Sequence, residues 1–324
     1  MKILVLRFSS IGDIVLTSPV VRNLKNKFPN SEIHFCTKKK YSVLVESNPF
    51  ISKVYFLEKK IINLVRMLRR EKYDVVIDLH SNLRTRIIKL CLLGISKLYT
   101  FKKLNFKKWV YVVFKINRLP PIHIVDRYMN TLSSMGVEND GLGLDYFIPE
   151  KDHVLKQSLP VAFHDNYVVY VLGGQHETKK LPFQKIVELC LLIKEPIVFL
   201  GAKEDYIQAE KIIDHFQQQQ NKSCFPLLYN GCGLYNLNQS ASLIKQSAWV
   251  IAHDTGLMHI AAAFKKKIYS IWGNTVPDFG MYPYQTEYVV WENKGLYCRP
   301  CSKIGYSVCP QEHFRCMNDI VFKF

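Results

Sequence analysis

The stretch KILVLRFSSIGDIVLTSPVVRNLKNKF, residues 2–28, decides the fold. Its short and dense apolar beginning, residues 2–8, predicts a buried strand, and the polar residues 9–13 around Gly12 predict a loop. Ser18 and Pro19 are typical of a helix start, and Pro29 is typical of its end. A buried strand, a polar loop and a helix in this order are typical of a parallel α/β sheet.

The same pattern continues along the chain and begins again at Tyr167. In the first half we predict strands at 32–36, 54–57 and 73–79, with a helix at 61–71. In the second half we predict strands at 168–172, 196–200, 249–252 and 268–272, with helices at 183–193, 240–246 and 257–264. Two open α/β domains follow, 1–160 and 161–324, with a linker near 148–166 that contains Pro149 and Pro160.

The composition is that of a globular protein, since 48% of the 324 residues are hydrophobic. No apolar run approaches the roughly 18 residues of a membrane-spanning helix. The apolar run after Met1 is too short for a secretory signal because Arg7 interrupts it. We therefore expect a cytoplasmic protein, in which the nine cysteines are thiols or metal ligands rather than disulfides.

The net charge of +17 is concentrated in one half of the chain. Residues 1–150 have 26 basic and 12 acidic side chains, whereas residues 151–324 have 18 and 15. Such a field suggests a polyanionic partner, which the charge alone leaves open among nucleic acid, an anionic membrane surface and a phosphorylated substrate. A basic proteome or a need for solubility would give the same balance.

Two polar turns follow strands of the two predicted domains, and ligands of open parallel sheets bind at this edge. The first is residues 9–13, where Asp13 begins the next helix. Spacing alone favours a capping role for Asp13 over a catalytic one. The three-glycine pattern of a dinucleotide site is absent from this loop. We expect this turn to form one wall of a cleft and Asp254 to lie on the other.

The second turn is Asp254-Thr255-Gly256, which joins a predicted strand to a helix of small residues. Backbone N–H groups at such a helix start bind phosphate, and the hydroxyl of Thr255 adds a donor. The alternative is a capped turn followed by a core histidine, His259, but the combination of turn, glycine and small residues favours phosphate binding.

A third polar loop, residues 173–182, contains Lys179 and Lys180. A lysine here would neutralise a departing diphosphate. A solvated loop charge is the alternative for a lone lysine.

Taken together, these segments resemble glycosyltransferase family 9, the heptosyltransferases of lipopolysaccharide core assembly. The resemblance covers nearly the whole chain in the right order. Leu181 departs from the tryptophan usual at its position. The segments are Arg7–Pro19, Lys179–Pro182, Gly201–Glu204, Asp254–Gly256 with His259, and Ile271–Thr275 with Pro277.

The resemblance implies the GT-B fold, with two Rossmann-like domains facing a central cleft. It also implies an inverting transfer from ADP-heptose to a lipopolysaccharide acceptor, with no cofactor and no essential metal. The first domain takes the acceptor and the second takes the nucleotide sugar.

The family's functional residues carry over onto matching positions of this chain. Asp13 would be the general base, and Lys179 would stabilise the leaving diphosphate. The remaining donor contacts would be Lys180, Glu204, Asp254, Thr255, Gly256 and His259. Ser10 and Gly12 would contact the acceptor. Arg84 and Arg86 are further candidates for contacts with acceptor phosphates, because they directly follow the predicted strand 73–79.

The basic half then has an expected partner, an anionic lipid A–core acceptor at the inner face of the cytoplasmic membrane. Residues 101–111 interleave aromatic and basic side chains, which is typical both of a helix in the membrane interface and of a core helix with a solvated edge. We therefore expect peripheral membrane association and no nucleic-acid partner.

Cys298, Cys301, Cys309 and Cys316 form a C-x2-C-x7-C-x6-C pattern, which raises the hypothesis of a zinc site. Two tight Cys-x-x-Cys pairs would indicate zinc more strongly, because here six residues separate the second pair. Reduced buried thiols and a labile disulfide are the alternatives, and the resemblance implies no catalytic metal.

Two other functions compete with the heptosyltransferase. One is a GT-B glycosyltransferase or an epimerase that uses a different nucleotide sugar. The other is a basic nucleic-acid-binding protein, although the sequence shows no recognition helix and no RNA-binding aromatic motif.

Overall fold

The computed structural model describes residues 1–57, 61–94, 96–218 and 225–324. These residues form two compact units, each made of two segments of the chain. The first unit contains Met1–Leu104 and Ile122–Pro149, and the second contains Asn105–Pro121 and Glu150–Phe324.

The described part of the first unit is built on a five-stranded parallel sheet. Its strands are β1 (Lys2–Leu6), β2 (Glu32–Lys38), β3 (Lys53–Leu57), β4 (Val75–Asp78) and β5 (Lys97–Thr100). Numbered along the whole chain, its helices are α1 (Ile11–Val15), α2 (Ser18–Lys27), α3 (Ile61–Arg70), α4 (Leu83–Leu92) and α6 (Ile124–Met129). The spatial order is β3-β2-β1-β4-β5, so the winding of the chain reverses between β1 and β4.

The described part of the second unit is built on a six-stranded parallel sheet. Its strands are β6 (Val168–Val171), β7 (Ile197–Leu200), β8 (Leu228–Asn230), β9 (Trp249–His253), β10 (Lys267–Trp272) and β11 (Tyr288–Glu292). Its helices are α5 (Asn105–Phe114), α7 (Phe183–Leu192), α8 (Tyr206–Gln217), α9 (Leu237–Gln246), α10 (Gly256–Ala263) and α11 (Arg315–Asn318). The order β11-β10-β9-β6-β7-β8 places the reversal between β6 and β9.

Both sheets are covered on their two faces, which explains why the central strands are continuous apolar runs rather than alternating ones. Residues 3–6 of β1 and 168–171 of β6 are all buried. The prediction of a parallel α/β fold from such runs is confirmed.

The predicted strands and helices are present within two residues of their expected ends, except at two places. The predicted first helix is two helices, α1 and α2, and the helix predicted at 240–246 begins three residues earlier, at Leu237. Strands β5, β8 and β11 were not predicted. All three are edge strands, and most of their residues are exposed or only partly buried. They therefore lack the dense apolar run of a central strand.

Residues 105–121 were expected in the first domain, but the structure places them in the second unit, together with the predicted linker from Glu150 onwards. The reason is side-chain contact within that unit. Tyr111 donates a hydrogen bond to Asp278 at 2.9 Å, and its ring packs edge-on against Phe279.

None of the helices in the described ranges is long and apolar enough to cross a bilayer.

Candidate active site

Asp13 lies where the chain leaves β1 and enters α1, at the reversal point of the first sheet. One carboxylate oxygen, Oδ2, accepts hydrogen bonds from the backbone N–H and the hydroxyl of Ser10, at 3.1 and 2.8 Å. The other, Oδ1, is 2.6 Å from Nη2 of Arg7. The capping role that spacing favoured is therefore present, because the carboxylate binds an N–H group at the start of α1.

Arg7 holds this carboxylate from inside the unit. Its guanidinium is buried, donates to the carbonyls of Ser9 and Leu79, and lies 5.7 Å from the centre of the Tyr128 ring. These contacts join the ends of β1 and β4, so the position of Asp13 depends on both strands.

The pKa of Asp13 follows from a competition between burial and these partners. Burial alone would raise the pKa, but the charge of Arg7 and the hydrogen bonds from Ser10 outweigh it, so the pKa of Asp13 lies below its usual value. The carboxylate is thus ionised at neutral pH. It also remains reachable, because 22% of its side-chain surface is exposed.

His80 and Lys103 are two further titratable groups that interact electrostatically with Asp13. Burial, together with the positive charges of Arg7 and Lys103, lowers the pKa of His80 to about 4, so this imidazole is neutral at pH 7. Burial and the charge of Arg7 also lower the pKa of Lys103, while Asp13 opposes that shift. Sequence reasoning missed Arg7, His80 and Lys103 as site residues. The available signals were a charge at the end of a buried strand and a histidine directly after β4.

The predicted acceptor contacts lie at the same edge of the first sheet. Ser10 touches Asp13, and Gly12 is buried in the first turn of α1. Arg84 and Arg86 begin α4, directly after β4, and are exposed. No hydrogen bond or ion pair among the described residues joins either arginine to Asp13, so their role stays a prediction.

In the second unit, the structure brings together Lys179 and Asp254, two residues that the sequence singled out separately. Lys179 follows β6 and Asp254 follows β9, so they meet at the reversal point of that sheet. Nζ of Lys179 lies 2.6 Å from Oδ2 of Asp254 and 3.2 Å from its carbonyl oxygen. The hydroxyl of Thr275 donates to the same Oδ2 at 3.0 Å, a contact that sequence reasoning missed.

The turn after β9 presents polar groups that have no partner among the described residues. Thr255 stands at the N-cap of α10, and its buried hydroxyl makes no hydrogen bond there. The side-chain amide of Asn274 is also buried and likewise makes no hydrogen bond with the described residues. Since buried polar groups are nearly always satisfied, these atoms indicate a place where a polar ligand or water binds. His259 is buried within α10, behind this turn.

Lys180 and Glu204, unlike Lys179, make no hydrogen bond or ion pair with Asp254 in the described part of the chain. Nζ of Lys180 is 2.8 Å from Glu177 and 3.2 Å from Asp205, an ion pair that joins the loops after β6 and β7. Asp205 is buried and also accepts the N–H of Ala202 at 2.9 Å, whereas Glu204 is exposed. Glu204 is therefore the acid of this loop that a ligand can reach.

Arg299 connects the far end of the second sheet to the Asp254 turn. Its buried guanidinium donates to the carbonyls of Trp272, Gly273 and Thr275 and pairs with Glu292 at 2.9 Å. It thereby positions the loop from which Thr275 reaches Asp254. Sequence reasoning did not single out Arg299, because its partners lie 6 to 27 residues away.

The model of one family, described as Glycosyltransferase family 9 (heptosyltransferase), matches residues 61–310, well over half of the chain. The chain belongs to glycosyltransferase family 9. It is therefore a glycosyltransferase.

Known relatives and solved structures agree with this assignment. The chain is 25% identical to lipopolysaccharide heptosyltransferase 1 of Campylobacter coli, over 85% of this chain and 84% of the relative. The glycosyl transferase family 9 structure from Veillonella parvula superposes with a TM-score of 0.72 at 23% identity, covering 89% and 85% of the two chains. The structure of E. coli ADP-heptose LPS heptosyltransferase II gives 0.70 at 20% identity and covers 98% of both. The fold of this glycosyltransferase is GT-B, with two Rossmann-like units.

The four cysteines of the zinc hypothesis lie near one another in the second unit of this glycosyltransferase. Cys298, Cys301, Cys309 and Cys316 are free thiols close enough to affect one another's ionisation, and burial raises the pKa of Cys301 to about 11. Among the described residues, however, no group of three or more histidine, cysteine or carboxylate side chains has the arrangement that holds a metal ion. Zinc binding by these four cysteines stays a hypothesis.

Proposed function

We propose that this glycosyltransferase moves a heptose from ADP-heptose to an inner-core acceptor of lipopolysaccharide, with inversion at the anomeric carbon. The observation that carries the proposal is the group formed by Lys179, Asp254 and Thr275 at the reversal point of the second sheet, beside the unsatisfied hydroxyl of Thr255. The donor and acceptor classes are those in the names of the relatives.

Lys179 would neutralise the departing diphosphate. An ammonium group has three N–H donors, and Asp254 accepts two of them in this structure, which leaves one for a phosphate oxygen. As the bond between the anomeric carbon and the phosphate oxygen breaks, the charge on ADP grows and the interaction with Lys179 strengthens.

Asp13 would act as the general base. The acceptor hydroxyl oxygen forms the new bond to the anomeric carbon, and its proton passes to the carboxylate of Asp13. Since Arg7 and Ser10 keep the pKa of Asp13 low, this base is ionised at neutral pH but weak. Proton transfer then has to come late, when the attacking oxygen has already become acidic.

The remaining residues would bind the two substrates. We assign the backbone N–H groups at Thr255 and Gly256 to phosphate, and Glu204 to the ribose hydroxyls. Lys180 and His259 would shape the donor site. In the first unit, Ser10, Gly12, Arg84 and Arg86 would contact the acceptor.

The location follows from the acceptor. Lipid A–core molecules carry phosphates and acidic sugars, and the net charge of +14 over residues 1–150 suits them. We propose that the protein works in the cytoplasm, peripherally on the inner face of the cytoplasmic membrane.

A transfer assay read by mass tests the proposal, with ADP-heptose supplied to a panel of truncated core acceptors. We expect addition of one heptosyl unit to one acceptor of the panel and an inverted anomeric configuration in its NMR spectrum. Matched reactions with UDP- and GDP-sugars are the control. Preferential transfer from either of them would replace this function by that of a glycosyltransferase with a different donor.

A further inference from the structure

The stretch from Leu79 to Val125 contains ten of the 44 basic residues of the chain and none of its 27 acidic ones. It lies between Asp78 and Asp126 and includes α4 and α5. The side chains of this stretch therefore contribute only positive charge at any pH near neutrality. The charge asymmetry of the chain is therefore mostly local, since this stretch accounts for ten of the seventeen net positive charges.

Helix α5 attaches to the second unit by one side. Tyr111 bonds to Asp278, and Nζ of Lys115 donates to the carbonyls of Cys298 and Pro300 at 3.0 and 2.8 Å. Lys108 lies 4.9 Å from the centre of the Phe279 ring. Lys108 and Tyr111 are three residues apart within α5, so they define its inward side, and Lys115 directly follows the end of the helix.

The outward side of α5 is apolar. Four side chains form it, and we call them the α5 apolar face: Phe106, Trp109, Val113 and Phe114. Their exposed fractions are 73%, 44%, 49% and 58%, and no residue of α5 is fully buried. The Trp109 ring lies 5.9 Å from that of Phe106 and 5.6 Å from that of Phe114, so the three rings make one continuous patch.

We infer that the α5 apolar face docks on an anionic lipid bilayer, with the apolar side chains among the acyl chains and the neighbouring lysines at the headgroups. An amphipathic helix whose apolar side contains Trp and Phe and whose flanks are basic has the composition of an interfacial helix. Lys107, within α5, and Arg118, four residues after its end, are exposed and supply the cations. An acidic protein partner would suit the lysines, but a helix of ten residues offers it only a small contact area.

The inference rests on the proposed function in one respect: the proposed acceptor is anchored in a bilayer, so the enzyme has to act at the bilayer surface. Docking through α5 would raise the local concentration of the enzyme at the plane where the acceptor lies.

Vesicle co-sedimentation tests the inference with the full-length protein. We expect wild type to bind phosphatidylglycerol-containing vesicles, to bind pure phosphatidylcholine vesicles weakly, and to lose binding as salt rises. The double variant Phe106→Ser/Trp109→Ser should bind the anionic vesicles at least about tenfold less. The matched control is Val161→Ser/Leu234→Ser, which removes two exposed apolar side chains elsewhere in the same unit and should bind as wild type does. Equal loss in both double variants, or none in the α5 variant, would overturn the inference.

Tryptophan fluorescence gives a second measurement. Trp109 is the exposed tryptophan of the four in the chain, since Trp272 and Trp291 are buried and Trp249 is half-buried. Its emission, taken as the difference between wild type and Trp109→Phe, should shift to shorter wavelength on anionic vesicles and be quenched by brominated lipid. An unchanged difference spectrum would contradict insertion.

Transfer assays with two acceptors and a measurement of oligomeric state distinguish failure of the docking inference from failure of the proposed function. With a water-soluble, deacylated acceptor, the α5 variant should transfer at the wild-type rate, whereas transfer to an acceptor embedded in vesicles should fall. If wild type transfers to neither acceptor, the proposed function fails while vesicle binding still decides the docking. If the α5 variant changes the oligomeric state but not vesicle binding, the face is an interface between copies and the inference is wrong.

Discussion

At the scale of single residues, the central feature is the contact between Arg7 and Asp13. The sequence predicted that Asp13 caps a helix, and the family resemblance predicted a base. In the structure, Ser10 donates to one carboxylate oxygen and Arg7 pairs with the other. A carboxylate held in this way can cap the helix and still be available as a base. The capping contact was predictable because it spans three residues. The contacts of Arg7 with Leu79 and Tyr128 were not, because they depend on the pairing of β1 with β4.

Replacing Arg7 should change the pH dependence of transfer. Arg7→Gln removes the cation that lowers the pKa of Asp13, so that pKa rises and the carboxylate is protonated at higher pH. We expect the acid limb of the kcat/KM profile to move to higher pH, and Arg7→Lys to move it less. Arg70→Gln, an exposed change in the same unit, should leave the profile unchanged. An acid limb that does not move in Arg7→Gln would show that Asp13 is not the group being titrated.

Thr275 gives a second prediction at this scale. Thr275→Val removes one of the hydrogen bonds that orient Asp254 beside Lys179. The loss of a bond to a charged group costs about 1.5–3 kcal/mol, so kcat/KM for the donor should fall roughly 10- to 100-fold. Thr286→Val removes a comparable hydroxyl bond, to the carbonyl of Lys266, and should have little effect on transfer. An equal fall in both variants would indicate a general loss of stability instead.

At the scale of elements, the polar residues of the candidate site could be predicted from sequence where a buried strand ends in a loop. Lys179 and Asp254 were both found in this way, since β6 and β9 are dense apolar runs. Their mutual contact was not predictable, because it requires β6 and β9 to be neighbours in the sheet. Arg299 was missed for a related reason: it acts on the loop after β10 from a segment with no regular secondary structure.

Glu71 should make the stability of the first unit sensitive to acid. It follows α3 and accepts from Lys2 of β1 and from Lys53 and Tyr55 of β3, and these hydrogen bonds hold its pKa well below the usual range. A lowered folded-state pKa gives stability that is present above the unfolded pKa of about 4.3 and is lost as the pH falls further.

We therefore expect Glu71→Gln to cost about 1 kcal/mol at pH 7, a modest value because solvent screens the pairs, and to cost less near pH 3. Urea unfolding at the two pH values measures this. Glu138→Gln, which changes an exposed carboxylate of the same unit, should cost nothing at either pH. A cost for Glu71→Gln that does not depend on pH would show that the ion pairs do not supply it.

At the scale of the whole molecule, sequence predicted two α/β units and misplaced one segment. Residues 105–121 lie between two segments of the first unit, so chain continuity assigned them there. Their contacts with residues 278–300 depend on folding of the second unit, which no local pattern reports. The concentration of positive charge was visible in the sequence, but the side of α5 left exposed was not.

Nucleotide binding should stabilise the protein selectively. If the second unit binds ADP-heptose, ADP should raise the melting temperature in proportion to the logarithm of its concentration, and UDP and GDP should raise it less. Lys179→Ala should weaken the ADP effect, whereas Lys211→Ala, an exposed change in the same unit, should preserve it. Because Lys179 rather than a metal neutralises the diphosphate in this account, EDTA should leave the ADP effect intact. Loss of the effect in EDTA would require a metal at the donor site.

The most direct test of the central claim is heptosyl transfer by Asp13→Asn with ADP-heptose and the preferred acceptor. The account predicts that kcat falls about 100- to 10,000-fold, because the amide cannot take the proton, while the rise in melting temperature on adding ADP matches that of wild type. Asp165→Asn, an exposed change in the second unit, should retain full activity. Transfer by Asp13→Asn within a few-fold of wild type would contradict the assignment of Asp13 as the base.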